Sequence, residues 1–167
     1  MKTSSPLASE RGLTLTELTI VMVLAVLVMA GLVGFYLSSQ ATWVDGSAQA
    51  ITQREATSLV DDMSDSVHVA ASASVFDSPD SLHQGVVLYD KDGIEFYRFF
   101  WKPADSLVHE GSSVSDDRGP SARSAVTRFQ LAAGPRLVNL RALEMESSQG
   151  ARVRLSSSMA MYNRVIP

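Results

Sequence analysis

The sequence predicts an α+β protein in which one long N-terminal helix packs, by its second half, against an antiparallel β-sheet. Three observations predict it. An uncharged apolar run extends from Leu18 to Leu37. Beyond it, apolar residues recur mostly at three- and four-residue steps, at Val44, Ala48, Ile51, Leu59, Met63 and Val67. Asp45, Arg54, Asp61, Asp62 and Asp65 fall mainly on the other side, as an amphipathic helix requires. After Ser78-Pro79-Asp80-Ser81 the pattern changes to short apolar and aromatic runs divided by turn residues, which is the mark of strands.

The helix is expected from Leu13 to about Ala73. Residues 13–37 form its membrane-length part and 38–75 its amphipathic part. Twenty apolar residues at a rise of about 1.5 Å give roughly 30 Å, the hydrocarbon thickness of a bilayer. Gly31, Gly34 and Gly46 are weak points, each costing up to ~1 kcal/mol against Ala. At Gly34 the missing side chain suits either close helix packing in a membrane or a hinge.

Residues 76–167 are expected to be β-rich. Val86–Asp90 and Ile94–Trp101 form a hairpin about Lys91-Asp92-Gly93, since Asp-Gly is a strong hairpin signal. Ser106–His109 is a short third strand, and residues 110–124, with almost no apolar content, read as a surface loop. Val126–Ala132, Leu137–Glu146 and Ala151–Ser157 follow as strands, although Ala142–Glu146 favours helix by propensity. Phe96 and Phe100 share one face of the aromatic strand and Tyr97, Phe99 and Trp101 the other, mostly as core.

The 167 residues carry a formal charge of −4 and no cysteine. Core packing or neighbours must therefore hold the domain without disulfides. Residues 44–117 hold 14 acidic and 4 basic residues, whereas 118–167 hold 8 basic and 2 acidic. Three readings stand: pairing within the domain, complementarity between subunits, and DNA contact by the basic half. The acidic total speaks against nucleic acid as a general partner. Asp90-Lys91-Asp92-Gly93 lacks the further oxygens a calcium loop needs and reads as a turn. His68, His83 and His109 share no ligand spacing and read as surface or helix-face histidines. No Gly-x-Ser-x-Gly elbow occurs. No enzyme, metal or cofactor is expected.

The most informative stretch is Arg11-Gly12-Leu13-Thr14-Leu15-Thr16-Glu17 at the mouth of the apolar run. A carboxylate entering that medium is expensive and marks a functional candidate. If the chain is cut between Gly12 and Leu13, the new amine lies one helical turn from Glu17, on the same face. A short polar basic leader, Gly at the cut and Glu five residues on resemble the prepilin signature of the type IV filament superfamily, which comprises type IV pilins and the pseudopilins of type II secretion. Leu13 stands where the family commonly has Phe. Leu-Val-Asn-Leu-Arg at 137–141 and the Ser-Ser-Met-Ala-Met-Tyr-Asn-Arg tail look most like a minor pilin or minor pseudopilin.

The resemblance implies a pilin-like fold and a structural role. A prepilin peptidase would remove residues 1–12 and methylate the Leu13 amine. Glu17 would neutralise the amine of a neighbouring subunit during assembly, and an inner-membrane platform would drive that assembly. Lys2 and Arg11 place the N-terminus in the cytoplasm and the outer domain outside it, with membrane lipid around the helix before assembly. Two other readings of the apolar run are an uncleaved anchor and a secretory signal. The latter needs a small-residue site after a shorter core, and Ser38-Ser39-Gln40-Ala41 is a poor one. The alternative function is a membrane-anchored binding module, an adhesin or DNA-uptake receptor.

Overall fold

A computed structural model describes residues 14–78, 82–112 and 116–162. Its first element is a 55-residue helix, α1, at Leu15–Val69. The chain divides into two compact units, Met1–Trp43 and Val44–Pro167. In the first, the described residues belong to α1 or its cap and are exposed around the whole circumference. Gly31 and Gly34 lie inside unbroken helix. This is a helix long and apolar enough to cross a membrane.

The second unit combines the end of α1 with two antiparallel sheets. The five-stranded sheet follows chain order: β1 (Ser72–Asp77), β2 (Gln84–Tyr89), β3 (Glu95–Lys102), β4 (Leu107–Gly111) and β5 (Gly119–Pro120). The three-stranded sheet is β6 (Ala125–Ala133), β7 (Leu137–Glu146) and β8 (Arg152–Ala160), also in chain order. A parallel bridge between His83 and Phe129 links the two, and the Phe129 amide donates to the Leu82 carbonyl at 3.2 Å. The α+β class is as the sequence predicts, with two sheets where one was expected.

One core joins all three parts. Leu59, Met63 and Val67 of α1 pack with Leu88 and Phe99 of the first sheet and Phe129, Leu140, Leu143 and Met145 of the second. The buried stripe of the helix is Ala48, Thr52, Ala56, Leu59, Met63 and Val67, in steps of four, four, three, four and four. Val44 and Ile51, expected on that stripe, are 45% and 59% exposed. Thr52 and Ala56 take the inner positions instead. A small residue lets a sheet approach closely, and the Thr52 hydroxyl is satisfied by donating to the Ala48 carbonyl at 3.0 Å. Of the aromatic strand, Phe99 is fully buried, and Phe96, Tyr97 and Trp101 pack half-buried against the core.

Three boundaries differ from expectation. The helix ends at Val69, short of Ala73, and the Ser-Ala-Ser-Val-Phe-Asp segment is β1, paired with Gln84–Tyr89. Weak local preference yields there to a ready hydrogen-bonding edge. The Phe76 ring covers the face of Gly85, in the space a Cβ would need. Of the turn expected at 78–81, Pro79, Asp80 and Ser81 lie outside the described residues. The loop expected over 110–124 is part strand. The Arg118 amide donates to the Glu110 carbonyl and the Ser121 amide to the Val108 carbonyl, with Pro120 tolerated because β5 is an edge. Ala142–Glu146 is strand, as expected, despite its helical propensity.

The β2–β3 hairpin forms where expected. Asp90 Oδ1 accepts the amides of Asp92 and Ile94, both at 2.9 Å, and Gly93 adopts φ 75°, which favours glycine.

Leu59→Ala and Met63→Ala should each destabilise the outer unit by about 2–5 kcal/mol. Ile51→Ala should stay within about 0.5 kcal/mol. Denaturant unfolding of the detergent-solubilised chain, followed by near-ultraviolet circular dichroism, measures all three.

Candidate functional site

The first turn of α1 holds the carboxylate singled out by the sequence. The Thr14 amide and hydroxyl both donate to Glu17 Oε2 at 2.9 Å, and the Glu17 amide donates to Thr14 Oγ1 at 3.3 Å. This is a capping box: each residue satisfies a helix-end group of the other. The carboxylate thus folds back toward the helix start, where the dipole also favours negative charge. The pattern Thr14-Leu15-Thr16-Glu17 spells that box in the sequence, beside the membrane-edge carboxylate it contains. Gly12 and Leu13, the expected cleavage pair, lie outside the described residues.

Beyond this turn the helix presents apolar side chains in every direction, among them Leu18, Met22, Val26, Met29, Val33 and Leu37, all more than half exposed. Thr19 lowers the polarity of the stretch by donating its hydroxyl to the Leu15 carbonyl at 2.7 Å.

The outer unit brings together groups that the sequence left scattered. The histidines are the main correction. His83 and His109 are buried, at 5% and 4% exposure, where surface positions were expected. His83 stacks on Trp101 with ring centroids 3.7 Å apart, and its Nε2 lies 3.2 Å from the Val126 carbonyl. His109 is flanked by Asp105 and Asp117. His68 is half-buried, 4.9 Å from the Tyr162 ring. Partners remote in sequence make the burial of His83 tolerable, whereas those of His109 lie four and eight residues away along the chain.

Several acids depart from their ordinary ranges. A hydrogen bond from Lys102, then one from His109, holds Asp117 well below the usual carboxylate range. Partial burial works to raise Asp105, but hydrogen bonds from His109 and the Leu107 amide outweigh it and hold the group low. Asp62 is raised, by desolvation and by Glu110, Asp61 and Asp65. Tyr97 is pushed up to about 12 by burial and by its 2.8 Å hydrogen bond to Glu110.

A groove of about 570 Å³ lies between Ser47–Glu55 of α1, the start of β6 and the β7–β8 turn. Of its two carboxylates, Glu55 accepts the Arg123 and Ser124 amides at 3.2 and 2.8 Å, and Glu146 pairs with Arg152. The remaining wall is largely small hydroxyl and methyl groups, which offer no convergent acid, base or nucleophile. Among the described residues no cluster of three or more His, Asp or Glu is placed to hold a metal ion. Asp90-Lys91-Asp92-Gly93 serves as the hairpin turn.

Among the described residues, the ion pairs that form lie almost all within one charged half or the other. Glu144 stands between Arg128 and Arg154 on neighbouring strands, at 3.6 and 3.5 Å, and Arg152 bonds Glu146 at 3.1 Å. In the acidic half Lys102 meets Asp117 at 2.9 Å and Arg98 meets Glu95. Arg118 and Asp116, at 3.5 Å, are the one ion pair between halves among the described residues.

Carboxylates held low stabilise the fold above their unfolded value of about 3.9, and that contribution is lost as pH falls through the folded value. The outer unit should therefore lose stability below about pH 4, and Asp117→Asn should flatten that loss. Asp62 has the opposite sign, so Asp62→Asn should raise the melting temperature at neutral pH. Thermal melts between about pH 2 and pH 7 check both.

Compared with protein-family models, curated proteins and solved structures, the chain gives no match to any of them.

Proposed function

We propose that this chain is a structural subunit, of the minor pilin or pseudopilin kind, in a type IV pilus-like or type II secretion filament. In this reading a prepilin peptidase cuts after Gly12 and methylates Leu13. The subunit waits in the inner membrane with its N-terminus cytoplasmic and its β-rich unit outside. An assembly platform then extracts it into a filament of related subunits, with no catalysis of its own.

The observation that carries the reading is Glu17, held in the first turn of a helix whose apolar stretch nothing in the described chain covers. Apolar surface on every side cannot rest in water, since each Å² left exposed forgoes about 25 cal/mol. Lipid or the helices of other subunits must cover it. A single carboxylate at the edge of that medium calls for a cationic partner. The amine of a neighbouring processed subunit supplies one at the same depth. The capping box supports this role, because it orients the carboxylate toward the helix start before any partner arrives.

Glu17→Ala should leave membrane insertion intact, because it removes a charge from an apolar segment. Cleavage should also persist, since it depends on the Gly12 side. Incorporation should fail, because a neighbour's buried amine is then stranded at a cost of roughly 3–5 kcal/mol. Crosslinking to partner subunits measures incorporation, and mass spectrometry of the extracted protein should find a methylated Leu13 terminus. An intact Met1 terminus beside an active prepilin peptidase, or normal incorporation of the alanine variant, overturns the reading. The intact terminus would favour a tethered binding module.

A further inference from the structure

His109 has a side chain only 5% exposed, and both its ring nitrogens meet carboxylate oxygens. Nδ1 lies 2.6 Å from Asp117 Oδ1, and Nε2 lies 2.7 Å from Asp105 Oδ2. An ionised carboxylate offers only acceptors, whereas a neutral imidazole has one donor and one acceptor. Two ionised acids can hold the ring at both ends only if it carries both protons.

The surroundings keep both acids ionised. Asp117 Oδ2 takes the Lys102 ammonium at 2.9 Å, and its Oδ1 also accepts the Gly119 amide at 2.9 Å. Asp105 Oδ1 accepts the Leu107 amide at 3.1 Å. On the β3 side the ring meets Phe100, at 5.8 Å between centroids. Nearby charges are engaged elsewhere: Glu110 accepts the Tyr97 hydroxyl, while Arg118 pairs with Asp116 and lies over the Tyr97 ring.

We propose that doubly protonated His109 is a proton-operated clasp that fastens the β3–β4 turn and the entry to β5 onto β4, and that loss of one ring proton opens it. The three attachments come from three separate pieces of chain: Asp105 from the turn, His109 from β4 and Asp117 from the approach to β5. The turn stores strain for the opening. Ser106 holds φ 59°, the left-handed region, which is costly for a residue with a Cβ. Its carbonyl also accepts the Val126 amide at 2.7 Å, so the turn anchors the start of β6.

When the ring loses a proton, a nitrogen lone pair faces a carboxylate and attraction becomes repulsion. Asp105 is the acid that leaves. Lys102 acts on it only through space, whereas Asp117 keeps its hydrogen bonds from Lys102 and Gly119. The clasp is closed where the acids are ionised and the ring is charged. It opens from the alkaline side by ring deprotonation and from the acid side by carboxylate protonation. This device stands independently of the filament reading.

The test uses the full chain in detergent micelles with nitrogen-15 histidine and amide labels. Ring nitrogen shifts and amide hydrogen exchange are followed from about pH 5 to about pH 9, the span around histidine titration. At the acid end both His109 nitrogens should show the imidazolium shift. As the ring then becomes a single tautomer, the Leu107 amide should exchange at least about tenfold faster than base catalysis alone accounts for. The Gly119 amide should change less. In Asp105→Asn, whose amide can donate to or accept from a neutral ring, that step at Leu107 should vanish. A wild-type ring that is neutral across the whole range, or that keeps both protons across it, overturns the proposal. So does a ring that titrates without any added exchange at Leu107. The wild-type titration decides even if the variant fails to fold.

Discussion

Both sheets of the outer unit depend on one contact, the buried stripe of α1. Leu59, Met63 and Val67 are fully enclosed, and each such side chain contributes about 1.5–3 kcal/mol by leaving water. The same three residues share one buried core with side chains of both the five-stranded and the three-stranded sheet. No cysteine is present to share the task. The stripe grades from small residues at Ala48, Thr52 and Ala56 to large ones at Leu59 and Met63, so the sheets meet the helix over changing side-chain depth.

Much of this was legible in the sequence where the signal is local. Uninterrupted apolarity from Leu18 to Leu37 admits few structures besides a long helix, and Asp92-Gly93 fixes a hairpin through its own backbone chemistry. The strand at Leu137–Glu146 was found to the residue. The β1 strand was not, because Ser72-Ala73-Ser74 carries almost no preference and is strand only through its pairing with β2. Ile51 fits the apolar stripe by its three-residue step from Ala48 yet lies exposed, whereas Thr52 enters the core because its hydroxyl finds a carbonyl one turn back. The burial of His83 depends on Val126, 43 residues on, which only the folded chain brings near, while Asp105 and Asp117 stand close to His109 in sequence at a spacing that matches no regular element. At the helix start Glu17 was legible as a functional candidate, and its capping partner Thr14 was equally legible through the four-residue pattern.

The segregation of charge gives the outer unit two electrostatic characters. The acidic stretch and the arginine-rich stretch stay largely unneutralised by one another, and Arg123, Arg136 and Arg141 form no ion pair among the described residues. Complementary patches of this kind govern encounter and register more than tightness. In a filament of like or related subunits they would bias which neighbours stack and in what order.

The outermost strand of the three-stranded sheet, β8, pairs on one side only among the described residues. Nine residues of open backbone are a template on which stray chains polymerise. Arg152 and Arg154, with side chains 79% and 69% exposed, put cationic bulk along that rim. Ser156 and Ser158 continue the outward row without an apolar contact for an intruder. Part of the arginine excess therefore acts as a guard against amyloid-like accretion at the open rim of the sheet.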